Sequence, residues 1–189
     1  MLLAQARVRL GRVVMTGDQH SGGWFWGAFS RWTLWAALIT LVADQVSKWW
    51  IIAHYNLEER GRVVVLPFLD LVFVKNTGVS YSMLDMAHPA WQATLAAFAA
   101  VASIALWIWS ARSTGSAVLA LSLGLIIGGA IGNGIDRLVI GGVADFVSLH
   151  AFGFYWYVFN VADVAIVAGV IGLLYDFWAT SRKDAAKTS

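Results

Sequence analysis

Apolar residues fall into four long stretches along the chain, separated by shorter polar segments. The stretches lie at roughly 32–54, 90–110, 117–137 and 160–180. A transmembrane helix needs about 20 mostly apolar residues, so each stretch is long enough to cross a bilayer. The pattern therefore predicts an all-α membrane protein with four transmembrane helices.

The connections at about 55–89 and 138–159 differ from ordinary loops. The segment from Arg62 to Lys75 reads RVVVLPFLDLVFVK, which is rich in β-branched and aromatic residues and predicts one or two short strands around Pro67. Residues 145–149 form a further candidate strand, which would pair with this segment. Because lipid cannot satisfy the backbone of an open strand, we expect a small extracytoplasmic β-rich segment at the outer membrane surface.

Most basic residues lie on one side of the four predicted spans. They are Arg7, Arg9, Arg12, Arg31, Arg112, Arg182, Lys183 and Lys187. The basic residues on the opposite side are offset by acidic ones in the same connections. Because cytoplasmic loops carry an excess of Lys and Arg, we expect both termini in the cytoplasm and both long connections outside.

The composition agrees with a bilayer environment and excludes several classes of protein. Hydrophobic residues make up 59% of the 189 residues and charged residues 13%, with a mean hydropathy of +0.69. A formal net charge of only +2 argues against a nucleic-acid partner, and the lack of cysteine excludes disulfides and thiol catalysis. The four histidines show no metal-ligand spacing, so neither a metal nor a cofactor is expected.

The chain is long enough for one domain, which we expect at about 31–180. Residues 1–30 lack the long apolar core of a signal peptide and are expected to form a poorly ordered cytoplasmic leader. Residues 181–189 are expected to form a basic cytoplasmic tail.

The third span combines a glycine repeat with a polar end. Gly124, Gly128 and Gly132 recur every four residues, a spacing that permits the close approach of a neighbouring helix. Asn133 and Asp136 are three residues apart and therefore share a face of the same helix. A polar cluster at a helix end would also serve to line a site.

Ionisable side chains interrupt the spans, where each one costs about 2.5–3.5 kcal/mol or more on insertion. Asp44 and Lys48 lie four residues apart on one helical face, so they either neutralise one another or contribute directly to a site. Asp136 either forms an interfacial ion pair with its neighbour Arg137 or lines a site.

Of two further aspartates, Asp145 lies within the second long connection and Asp163 near the start of the fourth span. Asn160 suits a helix cap at the start of the fourth span, whereas Asp163 lies about one turn further in and is harder to explain as a cap. Asp145 is a single charge in an apolar segment, and alone it would be a turn residue. As a pair, Asp145 and Asp163 would share one proton, so that one activates water while the other polarises a carbonyl. Spacing alone leaves open whether the two side chains meet.

Five blocks of polar and small residues occur in an order that resembles a known family. The blocks are Asp44–Lys48, Asn76–Ser82, Gly128–Arg137, Val143–Phe146 and Phe159–Asp163. Together with the four spans, they resemble the lipoprotein signal peptidases (signal peptidase II), which are bacterial four-helix inner-membrane aspartic peptidases. The resemblance covers about 31–180. The chain departs from the family in its longer leader and in Tyr81, where phenylalanine is more familiar.

The resemblance implies roles for particular residues. Asp145 and Asp163 match the catalytic pair of the family. Positions that shape or support the site are matched by Asn76, Asn133, Asp136, Arg137 and Asn160, and the first block of the family is matched by Asp44 and Lys48.

The resemblance also implies a substrate and a location. The substrate would be a prolipoprotein whose cysteine already carries a diacylglyceryl group, cut immediately before that cysteine without metal or cofactor. The active site would lie near the periplasmic face of the inner membrane, among membrane lipids, and nothing in the sequence demands more than a monomer.

Two other classes of protein also fit intramembrane charges. Ionisable residues in spans mark proton- or ion-coupled transporters, although the chain has no inverted repeat and only four spans. A non-enzymatic membrane assembly protein is the other alternative. It predicts that neutralising Asp145 or Asp163 has no effect on processing.

Overall fold

The computed structural model describes residues 24–78, 88–113 and 115–188. Four helices in this part of the chain are long and apolar enough to cross a membrane: Ser30–His54, Pro89–Arg112, Ala117–Val139 and Val161–Lys183. These helices confirm the four predicted spans to within a few residues at each end. The leader residues 1–23, as well as Tyr81 and Ser82 of the second sequence block, lie outside the described residues.

The strands occur as two consecutive pairs between the helices. Helix α1 (Ser30–Trp49) runs into a π-helical turn (Trp50–His54) and is followed by α2 (Leu57–Arg60), α3 (Pro89–Arg112), α4 (Ala117–Val139) and α5 (Val161–Thr188). The strands are β1 (Val63–Leu66) and β2 (Leu69–Asn76), both before α3, and β3 (Val143–Ala151) and β4 (Phe154–Phe159), both between α4 and α5.

Local side-chain contacts fix where the helices begin. The ring of His88 accepts a hydrogen bond from the backbone N–H of Ala90, and Pro89 occupies the first turn of α3, where its missing N–H is not needed. Ser116 caps α4 by accepting from the N–H of Leu119. The same hydroxyl contacts the carboxylate of Asp176 on α5, which gives that intramembrane charge a partner.

Helix α4 is the centre of the bundle, and α1, α3 and α5 all pack against it. A Cβ atom added at Gly124 would lie 2.5 Å from the carbonyl oxygen of Thr33, and one at Gly128 would lie 2.5 Å from that of Ala37. These separations confirm that the glycine repeat permits close approach of α1. On another face of α4, a Cβ at Gly129 would lie 2.6 Å from the carbonyl oxygen of Ala162.

A four-stranded antiparallel sheet lies at one end of the bundle, in the order β1-β2-β3-β4. The strands around Pro67 and their pairing with residues 145–149 are as predicted, for example with Val74 opposite Asp145. Strand β4 was not predicted. Its hairpin turn places Phe152 at φ 52° and Gly153 at φ 81°, and a phenylalanine at the first turn position hides the usual Asn-Gly or Asp-Gly signal.

A buried aspartate ties the strands of the sheet together. Asp70 on β2 accepts a 2.7 Å hydrogen bond from Arg62, which precedes β1, and lies 3.2 Å from Nε2 of His150 on β3. The guanidinium carbon of Arg62 also lies 4.6 Å from the centre of the Tyr155 ring on β4. The hydrogen bond from Arg62 lowers the pKa of Asp70, against the opposing effect of burial.

Described residues also lie on both sides of the range 31–180. Residues 24–29 precede α1 and fold against the end of α3, where Trp107 donates a 3.1 Å hydrogen bond to the carbonyl oxygen of Phe25. At the other end, α5 continues through Thr188, so the expected basic tail extends the last helix.

Close packing at the glycine repeat predicts a contrast between two alanine substitutions. We expect Gly128→Ala to lower the free energy of unfolding by about 1–3 kcal/mol, because its Cβ would press on the backbone of α1. Gly134→Ala is the matched control: its Cβ would lie 3.7 Å from that of Ala99, and alanine favours the helix by about 1 kcal/mol. Denaturant unfolding in mild detergent measures both. Equal effects would contradict the proposed contact.

Candidate active site

The candidate site lies where the end of α4, the start of α5 and strands β2 and β3 meet. Asp145 lies on β3 and is buried, with 2% of its surface exposed. Asp163 lies in the first turn of α5 and is half-buried. The β2–β3 ladder brings Asn76 beside Asp145, and the packing of α4 on α5 brings Asn133 beside Asp163.

One asparagine holds both aspartates. The Asn160 side-chain amide donates a 2.7 Å hydrogen bond to Oδ1 of Asp145. Its backbone N–H donates to Oδ2 of Asp163 at 3.2 Å, while its Oδ1 accepts from the backbone N–H of Asp163 at 3.0 Å. Asn160 is thus the helix cap expected from sequence, and Asp163 reciprocates that cap. The same contacts bring the two aspartates into one site.

A second asparagine extends this link. Asn133 donates a 2.9 Å hydrogen bond to Oδ1 of Asp163 and accepts one of 3.1 Å from the side chain of Asn160. The side chain of Asn160 therefore binds the carboxylate of Asp145, that of Asn133 binds the carboxylate of Asp163, and the two amides bind each other. Each amide has a fixed set of donors and acceptors, so this arrangement sets the relative orientation of the carboxylates.

The environment of Asp145 favours its protonated form. Burial, followed by the charge of Asp163, raises the pKa of Asp145 to about 7. Hydrogen bonds from Asn76 and Asn160 oppose part of this rise. Asn76 donates to Oδ2 of Asp145 at 3.1 Å and lies 3.4 Å from the hydroxyl of Tyr157.

A buried lysine lies directly behind this pair. Nζ of Lys48 is 2.7 Å from Asp44, 2.9 Å from Asp136 and 3.0 Å from Oδ1 of Asn133. An ammonium group carries three hydrogens, so each has one acceptor. Asp136 therefore forms its ion pair with Lys48 rather than with its neighbour Arg137. Asp44 and Lys48 neutralise one another, as the first sequence interpretation expects, and their ion pair adjoins the candidate site.

Asp44 and Asp136, the two partners of Lys48, each also bind a backbone N–H group. In both cases that N–H belongs to the residue that precedes Asp163 or Asp145. Asp44 accepts a 2.9 Å hydrogen bond from the N–H of Ala162, which precedes Asp163. Asp136 accepts a 3.0 Å hydrogen bond from the N–H of Ala144, which precedes Asp145. The ionic cluster around Lys48 thereby fixes the two backbone segments that carry the candidate dyad.

Gln45 completes the cluster and was not among the site residues predicted from sequence. Its side-chain nitrogen lies 3.1 Å from Oδ2 of Asp44, 3.1 Å from Oδ1 of Asp136 and 3.2 Å from the carbonyl oxygen of Gly132. Gln45 follows Asp44 in the first sequence block, and this position was the one sequence feature that could have indicated a role in the site.

Arg137 approaches the site from α4 without joining the cluster directly. It donates a 3.1 Å hydrogen bond to the carbonyl oxygen of Asn133, one turn earlier in the same helix. Its charge lies within electrostatic range of Asp145 and Asp163. Each of the nine sequence-predicted site residues therefore lies in or beside one contiguous polar site.

Two hollows adjoin the pair, one on each side of Tyr157. An apolar groove of about 570 Å³ runs between β4 and α5, along Ile171, Val167 and Val164 to Asp163. A more polar hollow of about 280 Å³ reaches Asp145. Tyr157 lines both spaces and, like Gln45, was missed as a site residue because the sequence pointed only to an interfacial aromatic.

The bundle and its buried polar site define a polytopic membrane enzyme with a pair of adjacent carboxyl groups. A family model described as signal peptidase (SPase) II matches residues 36–179. The chain belongs to the signal peptidase II family, which confirms the resemblance drawn from its sequence blocks. Members of this family are proteases that remove signal peptides from prolipoproteins, and the chain is accordingly a multi-pass protein of the bacterial inner membrane.

Curated relatives cover most of the chain. It is 54% identical over 145 residues to a lipoprotein signal peptidase of Rhodopseudomonas palustris (strain ATCC BAA-98 / CGA009), a match that covers 75% of this chain and 88% of the relative. A lipoprotein signal peptidase of Nitrobacter hamburgensis is 49% identical over 156 residues, covering 80% of this chain and 93% of the relative.

Two solved structures of bacterial membrane enzymes share the fold. The first has a TM-score of 0.64 and 24% sequence identity, and the match covers 83% of this chain and 91% of that one. The second has a TM-score of 0.64 and 25% identity, with 80% and 95% covered. The likeness confirms a four-helix membrane fold with a small sheet.

The lysine cluster predicts a large stability effect for one substitution. We expect Lys48→Met to lower the free energy of unfolding by about 3–5 kcal/mol, because Asp44 and Asp136 would remain buried without their cation. Denaturant unfolding in detergent, followed by tryptophan fluorescence, measures the change. Lys75→Met is the control: Lys75 is exposed, so an effect within about 0.5 kcal/mol is expected. A loss below about 1 kcal/mol in Lys48→Met would contradict this role.

Proposed function

We propose that the chain is an aspartic endopeptidase that uses Asp145 and Asp163 to cleave diacylglyceryl-modified prolipoproteins immediately before the lipidated cysteine. The observation that carries this proposal is the shared hydrogen bonding of the two aspartates by Asn160 and Asn133. Two carboxyl groups linked through a pair of hydrogen-bonded amides, with a raised pKa on Asp145, are suited to share one proton.

The proposed reaction follows from this shared proton. The ionised carboxylate accepts a proton from a water molecule, whose oxygen attacks the carbonyl carbon of the scissile peptide bond. The protonated carboxyl, which we assign to Asp145, donates its proton to the carbonyl oxygen and so forms a neutral tetrahedral diol. On collapse, one diol hydroxyl returns its proton to Asp145, and the carboxyl of Asp163 protonates the leaving amine nitrogen as the C–N bond breaks. The dyad ends with one proton, as it began.

The groove between β4 and α5 supports the proposed substrate. It is apolar along Val164, Val167 and Ile171, and it ends at Asp163. A lipidated cysteine at the end of a membrane-embedded signal helix presents acyl chains and a peptide bond at the same depth. An apolar groove that ends at a carboxyl group matches that combination of chemistry. The more polar hollow at Asp145 would receive the peptide beyond the cleavage site.

Supporting roles follow from the contacts of each residue. We assign Asn76 to orienting Asp145, and Asn133 and Asn160 to holding the pair. Asp44, Lys48 and Asp136 would fix the backbone beside the dyad. Arg137 would supply positive charge next to the developing negative charge on the substrate carbonyl.

The distribution of charged and aromatic side chains supports an orientation. Arg31, Arg112 and Arg182 lie at the end of the bundle opposite the sheet, which we assign to the cytoplasm together with both termini. Exposed tryptophans occur at both ends, including Trp35 and Trp156. The active site would then lie near the periplasmic face, within a peptidase domain at about 31–180. Residues 1–30 and 181–189 would be cytoplasmic, and the working unit would be a monomer surrounded by membrane lipids.

The dyad predicts that each aspartate is required. We expect Asp145→Asn and Asp163→Asn each to lower the cleavage rate by about 10²–10⁴-fold or more. The reason is that an asparagine side chain at either position can neither accept nor donate the proton that the two carboxyl groups share. A diacylglyceryl-modified prolipoprotein in detergent or vesicles, followed by gel shift and mass spectrometry, measures the rate and the bond that is cut.

The matched control is Glu58→Gln, which neutralises an exposed acid away from both hollows and is expected to cleave at the unmodified rate. All variants are compared at equal membrane-inserted amounts. Wild-type processing by either aspartate variant would refute the aspartic mechanism, whereas cleavage at another bond would refute only the assigned cleavage position.

The raised pKa of Asp145 predicts a pH dependence. We expect kcat/KM to fall about tenfold per unit as the pH rises above about 7, because the dyad then loses its shared proton. The pKa of Asp145 in the folded state lies above the ordinary 3.8, so the folded state binds this proton more tightly than the unfolded state does. The resulting contribution to the free energy of unfolding is complete below pH 3.8 and is lost as the pH rises to about 7.

Rate measurements from pH 5 to 9 on one lipidated substrate check the profile. Unfolding of Asp145→Asn over the same range is the accompanying measurement, since this variant should lack the part of the stability change that comes from Asp145. A rate that stays constant between pH 6 and 9 would contradict the assignment of the proton to Asp145.

A further inference from the structure

A second apolar space lies in the membrane-spanning bundle, separate from the candidate active site. Helices α1 and α3 both pack mainly against α4 and little against each other, which leaves a slot of about 640 Å³ between them. Leu34 and Leu38 form one wall, Ala100 and Ile104 the other, and Ile127 contributes to the floor. Ile127 precedes Asp136 by nine residues on α4, which is about 13 Å along the helix.

The segment before α1 closes one end of this slot. Phe25 and Trp107 both line it, and Trp107 donates its indole N–H to the carbonyl oxygen of Phe25. The ring of Trp26 lies 6.0 Å from that of Trp107. Tryptophan rings at the end of a transmembrane slot are typical of the depth where acyl chains meet headgroups.

Two arginines continue the walls of the slot just beyond this closed end. Arg31 precedes Leu34 by three residues on α1, and Arg112 follows Ile108 by four on α3, so each shares a helical stripe with a lining residue. Both arginines are exposed. The guanidinium of Arg112 also lies 4.5 Å from the centre of the Trp24 ring, which keeps it at this end of the bundle.

We propose that this slot binds one acyl chain of an anionic phospholipid, whose phosphate is held between Arg31 and Arg112. Among the described residues, the slot is lined almost entirely by apolar side chains, and the one lining hydroxyl, that of Ser103, already donates to the carbonyl oxygen of Ala99. It therefore offers nothing to a polar ligand along its length. In the part of the chain that the structure describes, positive charge beside the slot comes from Arg31 and Arg112 at its headgroup end, and an arginine near the membrane surface favours anionic lipid by about 1 kcal/mol.

The bound lipid would act as a packing element between two helices. Because α1 and α3 touch each other little, an acyl chain in the slot would supply contacts that neither helix makes with its neighbour. α1 carries Lys48, so such a lipid would stabilise the helix that supports the candidate dyad. This role is independent of the proposed peptidase chemistry.

Native mass spectrometry of the full chain, released from detergent, tests the headgroup part of this proposal. The probes are phosphatidylglycerol and phosphatidylcholine with identical acyl chains, added at equal amounts. We expect one tightly retained lipid per chain, with phosphatidylglycerol favoured at least fivefold. The double variant Arg31→Gln/Arg112→Gln should lose that preference. Arg182→Gln is the matched control, because Arg182 also lies over a tryptophan, Trp178, but belongs to α5, which contributes no described residue to the lining of this slot.

A second pair of variants tests the acyl-chain part. Ala100→Phe would fill the slot and should lower the retention of both lipids at least fivefold. Ala97→Phe adds the same ring to an exposed position of α3 that does not line the slot, and it should leave retention unchanged. Both substitutions are at exposed sites, and thermal unfolding confirms that each variant is folded.

Several outcomes would overturn the proposal. They are equal retention of the two lipids by the unmodified chain, an effect of Arg182→Gln as large as that of the double variant, and full lipid retention by Ala100→Phe. If Ala100→Phe instead raises KM for a prolipoprotein without changing lipid retention, the slot binds the signal helix and the lipid assignment is wrong.

Discussion

The ammonium group of Lys48 is the constraint on which the rest of the site depends. It lies between Asp44 of α1 and Asp136 of α4, and its third hydrogen reaches Asn133. A charge buried in a membrane-spanning bundle is costly, and that cost is offset only when every donor and acceptor is satisfied. Here both carboxylates also accept hydrogen bonds from backbone N–H groups, Asp44 from Ala162 and Asp136 from Ala144. Each carboxylate therefore binds both the ammonium group and the backbone.

This arrangement links the membrane bundle to the sheet. Ala162 lies in the first turn of α5 and Ala144 at the start of β3, so a cluster centred on α1 and α4 positions two segments that are not adjacent in sequence. Each of these alanines immediately precedes one aspartate of the pair. The pair is then aligned by amides from Asn160 and Asn133 rather than by direct contact with the cation. Asp145 thus stays buried near another acid, which is what raises its pKa.

Much of this architecture could be predicted from the sequence, because spans and strands leave periodic signals. The four spans, the strands around Pro67 and the glycine contacts were predicted in this way. The partner of Asp136 was harder: Arg137 is its neighbour in sequence, but consecutive helix positions point about 100° apart. The backbone N–H groups that bind the supporting aspartates leave no sequence signal at all, since every residue but proline carries one. Tyr157 was hidden in a run of aromatics that also suits a membrane interface.

At Gly132, the packing of α1 against α4 and the geometry of the site depend on the same residue. A Cβ atom at this position would collide with the carboxylate of Asp44. The glycine repeat therefore does more than bring two backbones together: it leaves room for an acidic side chain of α1 to lie flat against α4. Only at that separation does Lys48, one turn further along α1, reach Asp136. The small residues that set the distance between the helices thereby also set the position of the charge that holds both aspartate-bearing segments.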